Sequence, residues 1–177
     1  MKLRRMCTAL LLSGLLLSCL SGCSGTTDEL RFGTGGPGGT YYAFGSALAP
    51  QLQNDTGSTV EVKVTTGSEA NLRLLQTGMV DLAIVQSDAL QYASKEDGAN
   101  YSAVAGLYTE ACQIVVTKDS GITSVAELAG KRVSIGELES GVTRNAEQIL
   151  MASGLTPDML QVSRLSFSDS AAAMERG

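Results

Sequence analysis

The residues richest in chemistry lie between Gly33 and Tyr42, in the run Gly-Thr-Gly-Gly-Pro-Gly-Gly-Thr-Tyr-Tyr. The run sits between a short strand pattern, Leu30-Arg31-Phe32, and a helix pattern that opens at Thr40. Glycines at such a junction let main-chain N–H groups approach a ligand closely, and the start of a helix favours negative charge. Two more polar turns share this logic. Thr65-Thr66-Gly67-Ser68 follows an alternating strand pattern, and Gln86-Ser87-Asp88 follows the apolar run Leu82–Val85. A fourth, Ser140-Gly141-Val142-Thr143, opens a helix further along. All offer hydroxyls, amides and free helix N–H groups. Each has a plainer reading: the glycine run as a tight turn, Ser68 and Asp88 as helix caps.

Other chemistries fit less well. Gly33-x-Gly35-x-x-Gly38 matches the dinucleotide fingerprint. That fingerprint wants an acidic residue near the end of the next strand, and Glu61 falls early in its strand. No Gly-Lys-Ser/Thr phosphate loop occurs. The chain has no histidine, which removes the commonest general base and metal ligand. A hydrolase would have to use Ser with Lys or a carboxylate, and no Gly-x-Ser-x-Gly elbow is present. The chain is therefore expected not to be an enzyme, and to need neither metal nor cofactor. Its formal charge of −5 argues against nucleic acid as a partner.

The elements that must position these turns alternate between strand and helix. Strands are expected at Leu30–Phe32, Thr59–Thr65, Leu82–Val85, Val104–Leu107, Ile114–Thr117, Lys131–Ile135 and within Leu160–Phe167. Helices are expected at Thr40–Gln53 (with Pro50 weakening its end), Ser68–Thr77, Asp88–Ser94, Ser124–Leu128, Ser140–Ala152 and Asp169–Arg176. Such alternation implies an α/β fold with a parallel sheet. The last helix ends in Gly177, as the helix before Gly78 does, but no strand follows. A helix without a strand to cover leaves its apolar face poorly buried, so the chain reads as cut short at its C-terminus.

The N-terminus reads as an export signal. Lys2, Arg4 and Arg5 precede an apolar run from Cys7 to Leu20. That run is about fourteen residues, short of the roughly 20 that span a bilayer. Leu20-Ser21-Gly22-Cys23 resembles a lipobox, in which Cys23 becomes the first mature residue and carries lipid; an ordinary signal peptide cut near Gly22 is the alternative. Residues 23–29 then form a linker. Loss of residues 1–22 takes three basic residues and moves the formal charge from −5 to −8. Cys7 and Cys19 leave with the leader and Cys23 is acylated. Only Cys112 remains, so no intramolecular disulfide is possible; its apolar surroundings, Ala111–Val116, predict a buried, inert thiol.

Together these motifs resemble a known family. Gly-Thr-Gly-Gly-x-Gly-Gly-Thr-Tyr-Tyr, Thr65-x-Gly67-Ser68-x-x-Asn71-Leu72 and Gln86-Ser87-Asp88 are similar to TAXI proteins, the extracytoplasmic solute receptors of tripartite ATP-independent periplasmic (TRAP) transporters. So are Leu107-Tyr108-Thr109-Glu110, Asp119-Ser120-Gly121-Ile122 and Leu128–Val133. The resemblance runs from about Leu30 to the end. It implies a periplasmic-binding-protein-like (type II) fold of two lobes, residues 30–117 and a partial 118–177, closing like a hinge on a small organic anion. The solute would be an amino acid such as glutamate, or a carboxylate, passed to an ion-driven TRAP membrane subunit. Carried over by position, the ligand contacts are Gly35, Gly38, Gly39, Thr40, Tyr41, Thr66, Ser68, Gln86 and Ser87 from the first lobe. The second lobe gives Ser140, Gly141 and Thr143. This turn departs from the family's usual Gly-Ser-Gly-Thr, reading Glu139-Ser140-Gly141-Val142. Family members are also longer than this chain. The expected location is the outer face of the cell membrane, lipid-anchored. The alternatives are an exported lipoprotein that adheres or signals, and a fragment too incomplete to bind.

Overall fold

A computed structural model describes residues 28–96 and 101–177. The leader, Cys23 and linker residues 24–27 lie outside the described residues. Strands β1 (Glu29–Gly33), β2 (Thr59–Lys63) and β3 (Leu82–Ala83) form a parallel sheet in the order β2-β1-β3. The register pairs Glu29 with Thr59 through Gly33 with Lys63, and Phe32 with Leu82. Helix α1 (Thr40–Thr56) joins β1 to β2, α2 (Ser68–Gln76) joins β2 to β3, and α3 (Ser87–Glu96) follows β3. A second parallel pair, β4 (Arg132–Ser134) and β5 (Gln161–Ser163), is joined by α4 (Gly141–Ala152) and followed by α5 (Phe167–Arg176). The expected α/β alternation is what the chain builds.

The local causes are readable. Residues of β1 point alternately to the two faces, and Phe32 goes into the core at 4 % exposure. Helix α1 runs through Pro50 to Thr56 rather than weakening there. Proline removes one hydrogen bond, and the buried Ala49 beside it holds the helix against the sheet. The helix stops at Gly57, whose left-handed backbone (φ 73°) lets its N–H bond Gln53 O at 2.9 Å. In the second sheet Leu128, Ile135, Leu150, Leu155 and Leu160 close into one apolar cluster.

Several expectations fail. Val104–Leu107 and Ile114–Thr117 are not strands: residues 101–117 carry no regular structure, and Val104, Ile114 and Val115 are exposed. Apolar β-branched residues favour extended backbone, but a strand also needs a paired edge, and this segment has none among the described residues. Cys112, on the same segment, is exposed rather than buried. Ser68 does not cap α2; Gly67 holds that position. The strand expected within Leu160–Phe167 is present as β5, Gln161–Ser163, and Phe167 already starts α5.

Candidate functional site

Parallel strands end at one edge of their sheet, so the helix following each strand begins there. Each α-helix among the described residues, α1 to α5, follows a strand's carboxyl end. The glycine loop is fixed from beneath. Thr34 is fully buried. Its N–H and Oγ1 both donate to Lys63 O, at 3.0 and 2.8 Å. Its carbonyl accepts from Thr65 Oγ1 at 3.0 Å and from Asn71 Nδ2 at 2.7 Å. Asn71, also fully buried, donates to Ile84 O at 2.8 Å. One amide thus ties the ends of β1 and β3 to α2. Above this anchor Gly39 N–H bonds Gly36 O at 2.8 Å, closing the turn that feeds α1.

Ser68 lies at the centre, 1 % exposed. Its Oγ accepts from Gln86 N at 3.0 Å, and its hydroxyl lies close enough to the Tyr41 phenol to act on it. Tyr41 in turn donates to Glu110 Oε2 at 2.9 Å. Burial above all, then the Glu110 carboxylate, pushes the Tyr41 phenol well above its ordinary value. The phenol therefore stays neutral and is no base for Ser68. Two hydrogen bonds, Gln86 to Ser68 and Tyr41 to Glu110, thus tie the turn after β3 to the start of α2, and α1 to the irregular segment 101–117.

The second sheet closes the corner. Ser140 caps α4, its Oγ accepting from Thr143 N at 3.1 Å and donating to Glu137 O at 2.6 Å. Thr143 Oγ1 donates to the same carbonyl at 2.6 Å. A methyl group built on Gly141 would run into the Gln86 amide and stand 3.1 Å from Ser68 Oγ; one on Gly67 would meet Ser140 Cα at 3.5 Å. Only glycine fits at Gly141. Gln86 Oε1 is buried here with no hydrogen-bond partner among the described residues. The glycine loop meets α5 as well. Gly38 lies against the Ser168 hydroxyl, and a methyl on Gly39 would stand 3.8 Å from the Phe167 ring.

Gly35, Gly38, Gly39, Thr40, Tyr41, Thr66, Ser68, Gln86, Ser87, Ser140 and Gly141 therefore line one crevice of about 3490 Å³; Thr143 does not, its hydroxyl being turned to Glu137 O. The crevice exceeds the roughly 300–1,000 Å³ of a small-molecule site, so a small solute would fill one corner of it. At the corner where Ser68, Gln86 and Gly141 meet, the lining is polar and buried. Sequence reasoning passed over Asn71, Phe167 and Ser168 as site residues. It quoted Glu110 within a motif without giving it a role. The signal for Ser168 was present: Ser166-Phe167-Ser168-Asp169 has the same strand-to-helix form as the other turns.

Helix N-termini and uncharged donors on converging turns grip an anion without a counter-charge. Among the described residues no group of three or more Cys, Asp or Glu stands close enough to hold a metal. No described helix is long and apolar enough to cross a membrane.

Two solved structures share the architecture. The periplasmic aliphatic sulphonate binding protein SsuA from Escherichia coli superposes with a TM-score of 0.54 at 22 % identity, over 85 % of this chain and 51 % of that one. The alkanesulfonate-binding protein SsuA from Xanthomonas axonopodis pv. citri, bound to MOPS, superposes with a TM-score of 0.53 at 18 % identity, over 84 % and 51 %. The chain spans about half the length of either structure. The likeness establishes the fold, the α/β fold of periplasmic binding proteins. Residues 32–177 match the NMT1-like family, and with most of its length inside that match the chain belongs to the NMT1-like family.

Proposed function

We propose that the protein is the solute-gripping part of an extracytoplasmic receptor that captures a small organic anion for a membrane transporter. The observation that carries this is the corner where Ser68, Gln86 and Gly141 meet, with helix starts from both sheets aimed at one place. The two sheets act as lobes, residues 30–117 and 118–177, that approach each other over the solute. The sulfonates bound by the two SsuA proteins are organic anions too, which supports the class. An amino acid is the finer reading. Main-chain N–H groups would hold its carboxylate, while Glu110 and the unpartnered Gln86 Oε1 offer acceptors to an ammonium group. Among the described residues Ser68 accepts from a main-chain N–H and stands near a neutral phenol, an arrangement that suits binding a solute. The TAXI-like motifs point to a TRAP membrane subunit as partner, and the Leu20–Cys23 motif to a lipid anchor on Cys23.

Thermal shift measurements with glutamate, small dicarboxylates and alkanesulfonates test the reading. A rise in Tm with one of these is expected, and glutamate should exceed its deaminated analogue glutarate. Gly141→Ala, which fills the corner, should abolish the rise. No shift across the whole panel would overturn the reading, and a shift with alkanesulfonates alone would replace the amino acid by a sulfonate. Incorporation of labelled palmitate that vanishes in Cys23→Ala tests the anchor.

A further inference from the structure

Beside the candidate site the two sheets are joined by charges arranged in a cross. Helix α2 carries Glu69 and Arg73, one turn apart on one face. Opposite them, Glu139 and Arg144 bracket the Ser140–Thr143 turn. Arg73 grips the Glu139 carboxylate with both arms of its fork, Nη2 to Oε2 at 2.7 Å and Nε to Oε1 at 3.2 Å. Arg144 Nε meets Glu69 Oε1 at 2.5 Å and lays its guanidinium 4.9 Å above the Tyr92 ring centre. Between the two pairs, Ala70 N–H donates to Glu139 O at 2.9 Å. Glu139 is the one non-glycine residue among those described with a left-handed backbone, at φ 60°. Such a conformation persists when its surroundings hold it. Here the carbonyl is held by Ala70 and the carboxylate by Arg73, both from the other sheet's helix.

We infer that Glu139, with Arg73, Glu69 and Arg144, forms a latch that docks the Ser140–Gly141 turn onto Ser68 and Gln86 before any solute arrives. The inference rests on reading the crevice as a cleft whose walls move. Acid faces base at both ends, so the halves dock in one register, and a slip places like charges together. The four side chains are positioning residues: their charged groups bond one another and act on a solute through the turn they place. All are partly exposed. Each pair therefore changes the ratio of docked to undocked forms by about 1.5- to 5-fold, less at high salt.

The Ala70 amide reports docking without a solute, because its hydrogen bond crosses between the sheets. NMR-detected hydrogen exchange on the full chain should show Ala70 exchanging about threefold faster or more in Arg73→Glu. The rate should return to within about twofold of wild type in the double variant Arg73→Glu/Glu139→Arg. Val62 and Val162, inside the two sheets, should stay unchanged. Glu139→Gly suits the left-handed backbone and preserves the fold, yet should also speed Ala70. Unchanged Ala70 exchange in both single variants overturns the latch. So does an equal acceleration at Val62 and Val162, which would make the pairs ordinary contributors to stability. A silent thermal-shift panel alongside an Ala70 response would overturn the solute reading and leave the latch standing.

Discussion

The two sheets are held together in different ways. Around β4 and β5 the interior is an apolar cluster of Leu128, Ile135, Leu150, Leu155 and Leu160, with Val133 and Val162 packed against it. Around β1 to β3 the most deeply buried residues include Thr34, Ser68 and Asn71. Their hydrogen bonds end on the strand termini that carry the site. Apolar burial is non-directional and tolerates changes of shape. A buried amide bonded at fixed angles does not. The first sheet thus spends interior space on fixing three turns. The second presents two turns, Ser140–Thr143 and Ser166–Asp169, above an interior that is mainly apolar.

The largest expected effect falls on the apolar side. Ile135 is 1 % exposed, and Ile135→Ala should cost about 2–5 kcal/mol in chemical denaturation, from lost burial plus the cavity left behind. Ile135→Leu should cost under about 1.5 kcal/mol. If both substitutions cost the same, the cluster is not tolerant and the contrast between the sheets collapses.

Asn71 is the matching residue of the first sheet. Asn71→Leu nearly conserves volume but removes the donors to Thr34 O and Ile84 O. It should cost about 1–3 kcal/mol. Unlike Ile135→Leu, it should also weaken any solute-induced Tm rise, because the glycine loop loses its anchor. A variant that melts early but binds normally would separate Asn71 from the site. Gly45→Ala probes the same anchor from α1, since a methyl there would collide with the Thr34 side chain. Overpacking of this kind costs typically 1–3 kcal/mol, and the lower part of that range is expected because α1 can shift outward.

Much of this was legible in the sequence. Glycines and hydroxyls at Gly35, Gly39, Ser68 and Gly141 stand at strand-to-helix junctions, and parallel strands bring such junctions to one edge. The helices were found within a few residues for the same reason: their periodic apolar positions face a sheet. What stayed hidden depends on partners far along the chain. Val104–Val116 has a strand's composition, but composition does not supply a neighbouring edge. Cys112 sits in an apolar run and is nevertheless exposed, because burial belongs to the packing and not to the run. The buried role of Asn71 required knowing that Thr34 and Ile84 end side by side. Glu139 looked like an intrusive charge until Arg73, sixty-six positions earlier, proved to face it.

The smallest effect concerns an ion pair of the first sheet, where the central strand β1 meets the residue before β3. Arg31 N–H and Nε both donate to Asp81 Oδ2, at 2.8 and 3.0 Å, while Nη2 reaches Oδ1 at 2.9 Å. The Arg31 side chain first, and its backbone N–H second, hold the Asp81 carboxyl below its ordinary 3.8. A carboxyl whose folded pKa is depressed stabilises the fold fully above its unfolded value, and that contribution fades as pH falls through the folded one. The pair is well exposed, so solvent screening keeps its contribution small. Asp81→Asn should therefore lower Tm slightly at pH 7, and the gap to wild type should close as the pH drops below about 4. Hydrogen exchange should place the change at β1 and β3 and leave β4 and β5 untouched. A gap that persists at low pH would show that Asp81 acts through its shape and backbone contact, and the charge of the Arg31–Asp81 pair would then play no part in joining β1 to β3.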